Sequence, residues 1–190
     1  MRIIAGSKRG LKLFSPKTDV SRPITDRVKE SLFNVLYNYD LPNGKIVADL
    51  FCGVGSLGLE ALSRGAEFVI FVEQDLKVID VLEKNIEKAG LVKESKVIRA
   101  NAFKIGLPVG ERRYDLIFVD PPYAYTKEVG QDSALGGLLS SVSKQLASDG
   151  IVVVRTERRT ELLNQYGLLE IIERRQWGTM AVTILRKSKE

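Results

Sequence analysis

The four residues Asp-Pro-Pro-Tyr at positions 120–123 follow an apolar run and combine two hydrogen-bond acceptors with an aromatic ring. The carboxylate of Asp120 and the carbonyl of Pro121 could together orient the hydrogens of a planar amine. The ring of Tyr123 could stack on the base that carries this amine. The prolines end the strand and hold both acceptors rigidly. The pattern therefore predicts a clamp in which a nucleobase amine attacks an electrophile, with Asp120, Pro121 and Tyr123 as the catalytic residues.

A glycine-rich segment earlier in the chain predicts a nucleotide site. Gly53, Gly55 and Gly58 have the spacing G-x-G-x-x-G, and Glu73 follows twenty residues after the first of them. Such glycines let the backbone approach a ligand closely, and the acid can accept hydrogen bonds from ribose hydroxyls. Asp49, just before the loop, would repel a pyrophosphate but suit an ammonium group. These residues favour S-adenosylmethionine over a dinucleotide.

Three further observations limit the chemistry. Asn101 could contact an adenine edge, or it could be a turn residue that closes a strand. Cys52 lies in the glycine loop and is interpreted as a small buried thiol, which disfavours carbon-5 pyrimidine methylation. The chain has no histidine, which excludes histidine general bases and histidine-rich metal sites, and we expect no metal.

Alternating strands and helices must position these residues. The sequence predicts a helix capped by Thr25. The predicted strands cover 45–51, 68–73, 96–100, 114–120, 151–156, 168–174 and 180–185, and further helices cover 56–63, 76–89, about 133–147 and 160–166. Near-continuous apolar strands separated by helices indicate a parallel sheet covered on both faces, while the last two strands lack room for a helix between them. We predict an α/β fold with a mostly parallel, seven-stranded sheet and an antiparallel last strand, and ligands at the strands' carboxyl ends.

The positive charge is concentrated at the start of the chain. Residues 1–30 contain eight Lys or Arg and three acids, so this segment carries the whole net charge of +5. Such a basic arm is typical of contact with a nucleic-acid backbone, and we assign Arg2, Lys8, Arg9, Arg22 and Arg27 to it. A second basic group at Arg155, Arg158, Arg159, Arg174 and Arg175 is interpreted as solvating the far edge of the sheet rather than binding RNA. One cysteine and no long apolar run predict a cytoplasmic protein without membrane contact.

The chain resembles the bacterial 16S ribosomal RNA guanine-N2 methyltransferases of the RsmD type over essentially its whole length. The matching segments are MRIIAGSKRG at the start, RPITDRVKESLFNVL (22–36), DLFCGVGSLGLEALSRGA (49–66), FVEQD (71–75) and DPPY (120–123). The glycine loop and DPPY occur in many amino-methyltransferases, whereas the 22–36 segment is much more specific.

This resemblance implies a class I, Rossmann-like, S-adenosylmethionine-dependent methyltransferase domain at 41–190 after an RNA-contacting extension at 1–40. It implies cofactor binding by Asp49, Gly53, Gly55, Glu73, Asn101 and Ala102, and a target-amine site at Asp120, Pro121 and Tyr123. The implied substrate is a loop guanine of 16S RNA, guanine 966 in the family, in an assembled small subunit. We expect a monomer.

Three other functions are compatible with parts of the pattern. The clamp recognises an amine rather than one base, so an N6-adenine methyltransferase acting on RNA or DNA is the main alternative. A nicotinamide-dependent oxidoreductase could use the same glycine loop, but Asp49 and the clamp disfavour it. A catalytically silent RNA-binding or ribosome-assembly protein would not need the intact clamp.

Overall fold

The computed structural model describes residues 1–15, 24–105 and 113–188, which form a central sheet with helices on both faces. The strands are β1 (Ile46–Leu50), β2 (Phe68–Glu73), β3 (Ser95–Arg99), β4 (Tyr114–Val119), β5 (Leu146–Glu157), β6 (Gln165–Tyr166), β7 (Leu169–Trp177) and β8 (Met180–Lys187). The helices are α1 (Asp26–Tyr37), α2 (Ser56–Ser63), α3 (Leu76–Ala89), α4 (Ala102–Ile105) and α5 (Ala134–Ser143), with a 3-10 turn at Tyr123–Thr126.

The strand order is β3-β2-β1-β4-β5-β8-β7-β6. The first five strands in this order run parallel, and β8, β7 and β6 join through antiparallel pairs. The prediction of a mostly parallel α/β sheet with an antiparallel end is confirmed, with a two-residue eighth strand added at the edge. Because β1, β2, β3 and β4 are parallel, the loops that follow them meet at one edge, where ligands bind in such folds.

A separate apolar core lies on each face of the sheet. One contains Leu32 and Leu36 of α1 and Leu82 of α3, together with the inward residues of the strands. The other contains Leu135 and Leu139 of α5. The 76–89 helix is confirmed, because Asp75 accepts a hydrogen bond from the Lys77 N–H at its start and Gly90, with φ +66°, ends it.

Two predicted helices were wrong in type or extent. No helix forms at 160–166; a non-helical segment leads there into β6, which pairs with β7. Helix α5 ends at Ser143 instead of 147, because β5 already begins at Leu146, which pairs with Tyr114. In the described part of the chain, no helix is long and apolar enough to cross a membrane.

The N-terminal segment folds back onto the sheet domain. Arg2 and Lys12 form an antiparallel bridge, and the carboxylate of Glu60 in α2 accepts hydrogen bonds from the N–H groups of Ile4 (2.7 Å) and Ala5 (3.0 Å). A Cβ at Gly6 would lie 1.8 Å from the Ser63 carbonyl oxygen, so only glycine permits this close approach. Helix α1, capped by Thr25 as predicted, is joined to this segment by Lys29, whose Nζ donates to the Arg2 carbonyl at 2.7 Å.

Candidate functional site

The glycine loop is a left-handed turn between β1 and α2. Gly53 and Gly55 have φ of +55° and +84°, and Phe51 has φ +58°, which is unusual for a residue with a side chain. A Cβ at Gly53 would meet no atom within 4 Å, so this backbone faces open space. Gly55 faces inward, where a Cβ would lie 2.5 Å from the Leu82 side chain. The two glycines thus differ in their surroundings, because Gly53 faces open space and Gly55 faces α3.

Asp49 is buried in β1 and acts on the start of α2. Its Oδ2 accepts a hydrogen bond from the Gly58 N–H at 2.8 Å, which serves α2 as a capping contact because Gly55 has no side chain to offer. Burial raises the pKa of Asp49 to about 8; the Gly58 hydrogen bond opposes this, while the charges of Asp120 and Glu73 add to it. A cationic ligand beside Asp49 would restore its ionised form.

This raised pKa predicts how stability depends on pH. The unfolded carboxyl ionises near its ordinary pKa of 3.8, whereas the folded one holds its proton to about pH 8. The folded state therefore binds the extra proton between these values, and its stability falls as pH rises from about 4 to 8. We expect the melting temperature of Asp49→Asn to fall less than that of the wild type over this range. Equal slopes for the two proteins would contradict the prediction.

Glu73 ties the end of β2 to the glycine loop. Its Oε2 accepts from the Gly53 N–H at 3.1 Å, and its Oε1 accepts from the N–H groups of Gln74 (2.8 Å) and Asp75 (3.0 Å). A carboxylate offers about four lone-pair positions, so these contacts fix its orientation without exhausting its acceptor capacity.

Asn101 follows β3 at the same edge of the sheet. Its Oδ1 accepts from the Phe103 N–H at 3.0 Å, so the side chain starts α4 in the manner of a turn residue. Ala102, which follows it, is buried. The sequence had left a turn role and an adenine contact open for Asn101, and the structure shows the turn contact.

An aromatic row links the glycine loop to the proposed clamp. The ring centroids of Phe51 and Phe103 are 4.7 Å apart, and those of Phe103 and Tyr125 are 4.8 Å apart. Tyr125 is 51% exposed and lies in the 3-10 turn that begins at Tyr123. No local pattern indicates this row, because its members lie far apart in the sequence, directly after β1, in α4 and in the 3-10 turn.

The Asp-Pro-Pro-Tyr segment continues directly from β4. The Asp120 N–H donates to the Leu50 carbonyl at 3.3 Å, which sets this segment beside the end of β1. Pro121 is buried, whereas Tyr123 is only half-buried. Burial raises the pKa of Asp120, and the charge of Arg155 opposes that rise. The charge of Asp120 also raises the pKa of Asp49, so the carboxyl groups at the ends of β4 and β1 act on one another.

The prediction that Arg155 solvates the far edge of the sheet is wrong. Arg155 was grouped with arginines solvating the sheet's far edge, but its Nε lies 2.5 Å from Asp120 Oδ1. The register that pairs Val119 of β4 with Val154 of β5 brings the next residue of each strand together. Arg158 and Arg174 instead contact each other away from Asp120: the Arg174 guanidinium donates a hydrogen bond to the Arg158 carbonyl at 2.7 Å.

The residues assigned to RNA contact differ in their surroundings. Arg9 and Arg27 are exposed, Lys8 is half-buried, and Arg2 donates from Nε to Asp26 Oδ2 at 2.8 Å. Arg22 lies outside the described residues. Among the described residues, no cluster of three or more His, Cys, Asp or Glu could hold a metal ion.

Cys52 has the character expected of a structural thiol. It is 8% exposed, and burial, with the charges of Asp49 and Glu73, raises its pKa well above the usual value. A thiol that keeps its proton is a poor nucleophile, so the structure offers no support for cysteine attack on a base.

The sheet topology is that of the class I, Rossmann-like methyltransferases. The solved structure of YhhF from Escherichia coli matches with a TM-score of 0.82 and 31% identity, covering 100% of this chain and 99% of that one. YlbH from Bacillus subtilis is 36% identical over 191 residues, 98% of this chain and 99% of its own. A Haemophilus influenzae protein named ribosomal RNA small subunit methyltransferase D is 35% identical over 165 residues, 86% of this chain and 82% of its own.

The family profile described as Conserved hypothetical protein 95 matches residues 1–186, and the chain belongs to this family. The resemblance to the RsmD-type methyltransferases is thereby confirmed.

Proposed function

We propose that this protein transfers a methyl group from S-adenosylmethionine to the exocyclic N2 amine of a guanine in 16S ribosomal RNA. The observation that carries the proposal is the placement of Asp120, whose N–H donates to the Leu50 carbonyl at 3.3 Å and which therefore lies beside the end of β1, where the glycine loop begins. The names of the relatives, which specify ribosomal RNA small subunit methyltransferase D, support the class of substrate. A ribosomal substrate would place the protein in the cytoplasm.

The charges at this edge suit the proposed cofactor. Three carboxylates lie together here, those of Asp49, Glu73 and Asp120. The charges of Glu73 and Asp120 raise the pKa of Asp49, and the charge of Arg155 lowers it. An ammonium and a sulfonium would be attracted to such a site, whereas a pyrophosphate would be repelled. Gly53 would admit the ligand, Glu73 would accept from its ribose, and Asn101 and Ala102 would lie by its adenine. When bound, S-adenosylmethionine supplies an electrophilic methyl group.

The clamp would orient the attacking amine. Asp120 and the Pro121 carbonyl would accept its two hydrogens, which directs the nitrogen lone pair outward, and Tyr123 would stack on the base. Held in this way, the nitrogen lone pair would be aimed at the methyl carbon that the cofactor supplies, with sulfur as the leaving group that keeps the electrons of the carbon–sulfur bond. The methylated nitrogen is transiently cationic and passes one proton to Asp120 or water. No histidine is required, because this nitrogen is acidic.

The basic arm would hold the RNA. Residues 1–40 are proposed as the RNA-contacting extension and 41–190 as the catalytic domain. Glu60 of α2 bonds the backbone of this extension, so a phosphate held there would be positioned relative to the glycine loop. The target guanine must be unstacked to reach the clamp, and a loop base such as guanine 966 suits that requirement.

Removing the exposed charges of this arm tests the RNA surface. We expect Arg9→Gln with Arg27→Gln to weaken binding to small-subunit RNA and to lower the slope of log affinity against log salt by about 0.7–0.9 for each lost phosphate contact. Lys144→Gln, at the exposed end of α5, is the matched control and should leave the slope unchanged. An unchanged slope in the double variant would refute contact by these two residues.

The deciding experiment identifies the methylated nucleoside. Small subunits from cells that lack this protein would be incubated with it and labelled S-adenosylmethionine, and the RNA would be digested and separated by mass. N2-methylguanosine at one position is the expected product. N6-methyladenosine would support the amine-binding role of the clamp but would contradict guanine as the substrate. Cofactor binding without transfer to particles or naked RNA would favour a silent RNA-binding role, and binding of a nicotinamide dinucleotide instead would favour an oxidoreductase.

A further inference from the structure

Arg155 reaches the clamp carboxylate from the neighbouring strand. Its Nε lies 2.5 Å from Asp120 Oδ1, and the two side chains are only 11% and 18% exposed. The contact follows from the parallel register of β4 and β5, in which Val119 pairs with Val154. It is therefore built into the sheet and does not depend on the conformation of a surface loop.

The contact between Arg155 and Asp120 affects the pKa of the carboxyl groups at this site. Arg155 faces it from β5, and Asp49, whose pKa is sensitive to the Asp120 charge, lies on β1. Among the described residues, Arg155 is the cation whose charge lowers the pKa of both Asp120 and Asp49, against the rise that burial causes. A nearby opposite charge typically lowers the pKa of a carboxyl by about 1–3 units.

We propose that Arg155 is a positioning residue for methyl transfer, which keeps Asp120 ionised and fixes one of its oxygens so that the carboxylate can accept a hydrogen from the target amine. This inference rests on the proposed function. An ionised carboxylate only accepts, whereas a protonated one can also donate. A protonated Asp120 could aim its hydrogen at the amine nitrogen and occupy the lone pair that must attack. Arg155 therefore sets the pH above which the clamp works.

The test is the pH dependence of turnover in Arg155→Met and Arg155→Lys at saturating cofactor and RNA. Removing the cation should move the acidic limb of the turnover profile upward by about 1–3 pH units. Below the displaced limb Arg155→Met should be slower than the wild type by about tenfold or more, and on the alkaline plateau above it turnover should recover to within about threefold of the wild type. Arg155→Lys keeps a positive charge and should keep the limb close to that of the wild type.

Two controls separate this role from simple support of β5. Cofactor affinity is measured at each pH, because Asp49 also titrates near pH 8 and Arg155 acts on it as well. In the Asp120→Asn background, adding Arg155→Met should change turnover by less than about twofold, since asparagine does not titrate. A loss in Arg155→Met that is equal at every pH, or no loss at any pH, would overturn the proposal.

A direct titration keeps this proposal separate from the proposed function. The carbon-13 signal of the Asp120 carboxyl is followed against pH in the wild type and in Arg155→Met. An upward displacement of its midpoint in the variant is expected, and coincident curves would refute the ion pair's role. If the wild type methylates no RNA, the proposed function fails, and this titration still decides whether Arg155 holds Asp120 ionised.

Discussion

Asp120→Ala is expected to lower methyl transfer by about 10²–10⁴-fold while cofactor affinity changes only a few-fold. The carboxylate would both orient the amine and receive the proton that the nitrogen loses, so its removal costs positioning and proton transfer together. Its neighbour Arg155 would then lose a partner that lies 2.5 Å away. The change therefore falls mainly on turnover, because Asp120 would contact the amine directly, whereas it would share the attraction of the cofactor's positive charges with Asp49 and Glu73.

The comparison needs variants that separate chemistry from folding. Asp120→Asn keeps the shape and one acceptor, and should be less impaired than Asp120→Ala. Asp149→Ala, an exposed aspartate near the opposite end of β5, is the matched control and should retain wild-type turnover. Single-turnover rates at saturating RNA provide the measurement. Turnover of Asp120→Ala within about threefold of the wild type would remove Asp120 from the catalytic residues.

The central elements of this fold could be predicted from local sequence signals. Helix α3 has an apolar period of 3.6 residues, a capping aspartate and a terminal glycine, so its bounds at 76–89 were correct. The 160–166 segment failed because its structure depends on pairing with β7, which no local pattern reveals. Tertiary context overrides propensity most easily in such short segments.

In the candidate site, too, some residues could be predicted from local sequence and others depend on the tertiary structure. Asp49, Glu73 and Asp120 were found because each follows or ends an apolar run, and parallel strands bring such positions to one edge. Arg155 was misplaced because its role follows from the β4–β5 register, and a shift of one residue would have turned its side chain to the other face. The contacts of Phe103 with Phe51 and Tyr125 likewise need three separate segments of the chain in place.

A second large effect is expected from Glu60→Ala, which should lower the free energy of unfolding by about 3–5 kcal/mol. Glu60 and Lys29 are both fully buried, with Lys29 Nζ 3.5 Å from Glu60 Oε2. Burial lowers the pKa of Lys29, and the charge of Glu60 opposes this. Removing the carboxylate would leave the ammonium without its buried counter-ion and would also leave the N–H groups of Ile4 and Ala5 without their acceptor.

An exposed ion pair between the same two parts of the chain provides the control. Arg2 pairs with Asp26 at 2.8 Å, but these side chains are 59% and 41% exposed, so Asp26→Ala should cost at most about 1–2 kcal/mol, including its interaction with the start of α1. Urea unfolding of both variants gives the two free energies. A cost for Glu60→Ala no larger than that for Asp26→Ala would contradict the prediction.

The location of this buried pair also connects stability with the proposed function. Lys29 Nζ donates to the Arg2 carbonyl at 2.7 Å and to Ser56 Oγ at 3.2 Å, and Ser56 is the first residue of α2. The pair therefore joins the basic arm to the helix that begins at the glycine loop. Glu60→Ala should accordingly make residues 1–15 more sensitive to proteolysis than Asp26→Ala does, because the buried contacts rather than the exposed pair hold this segment on the sheet domain.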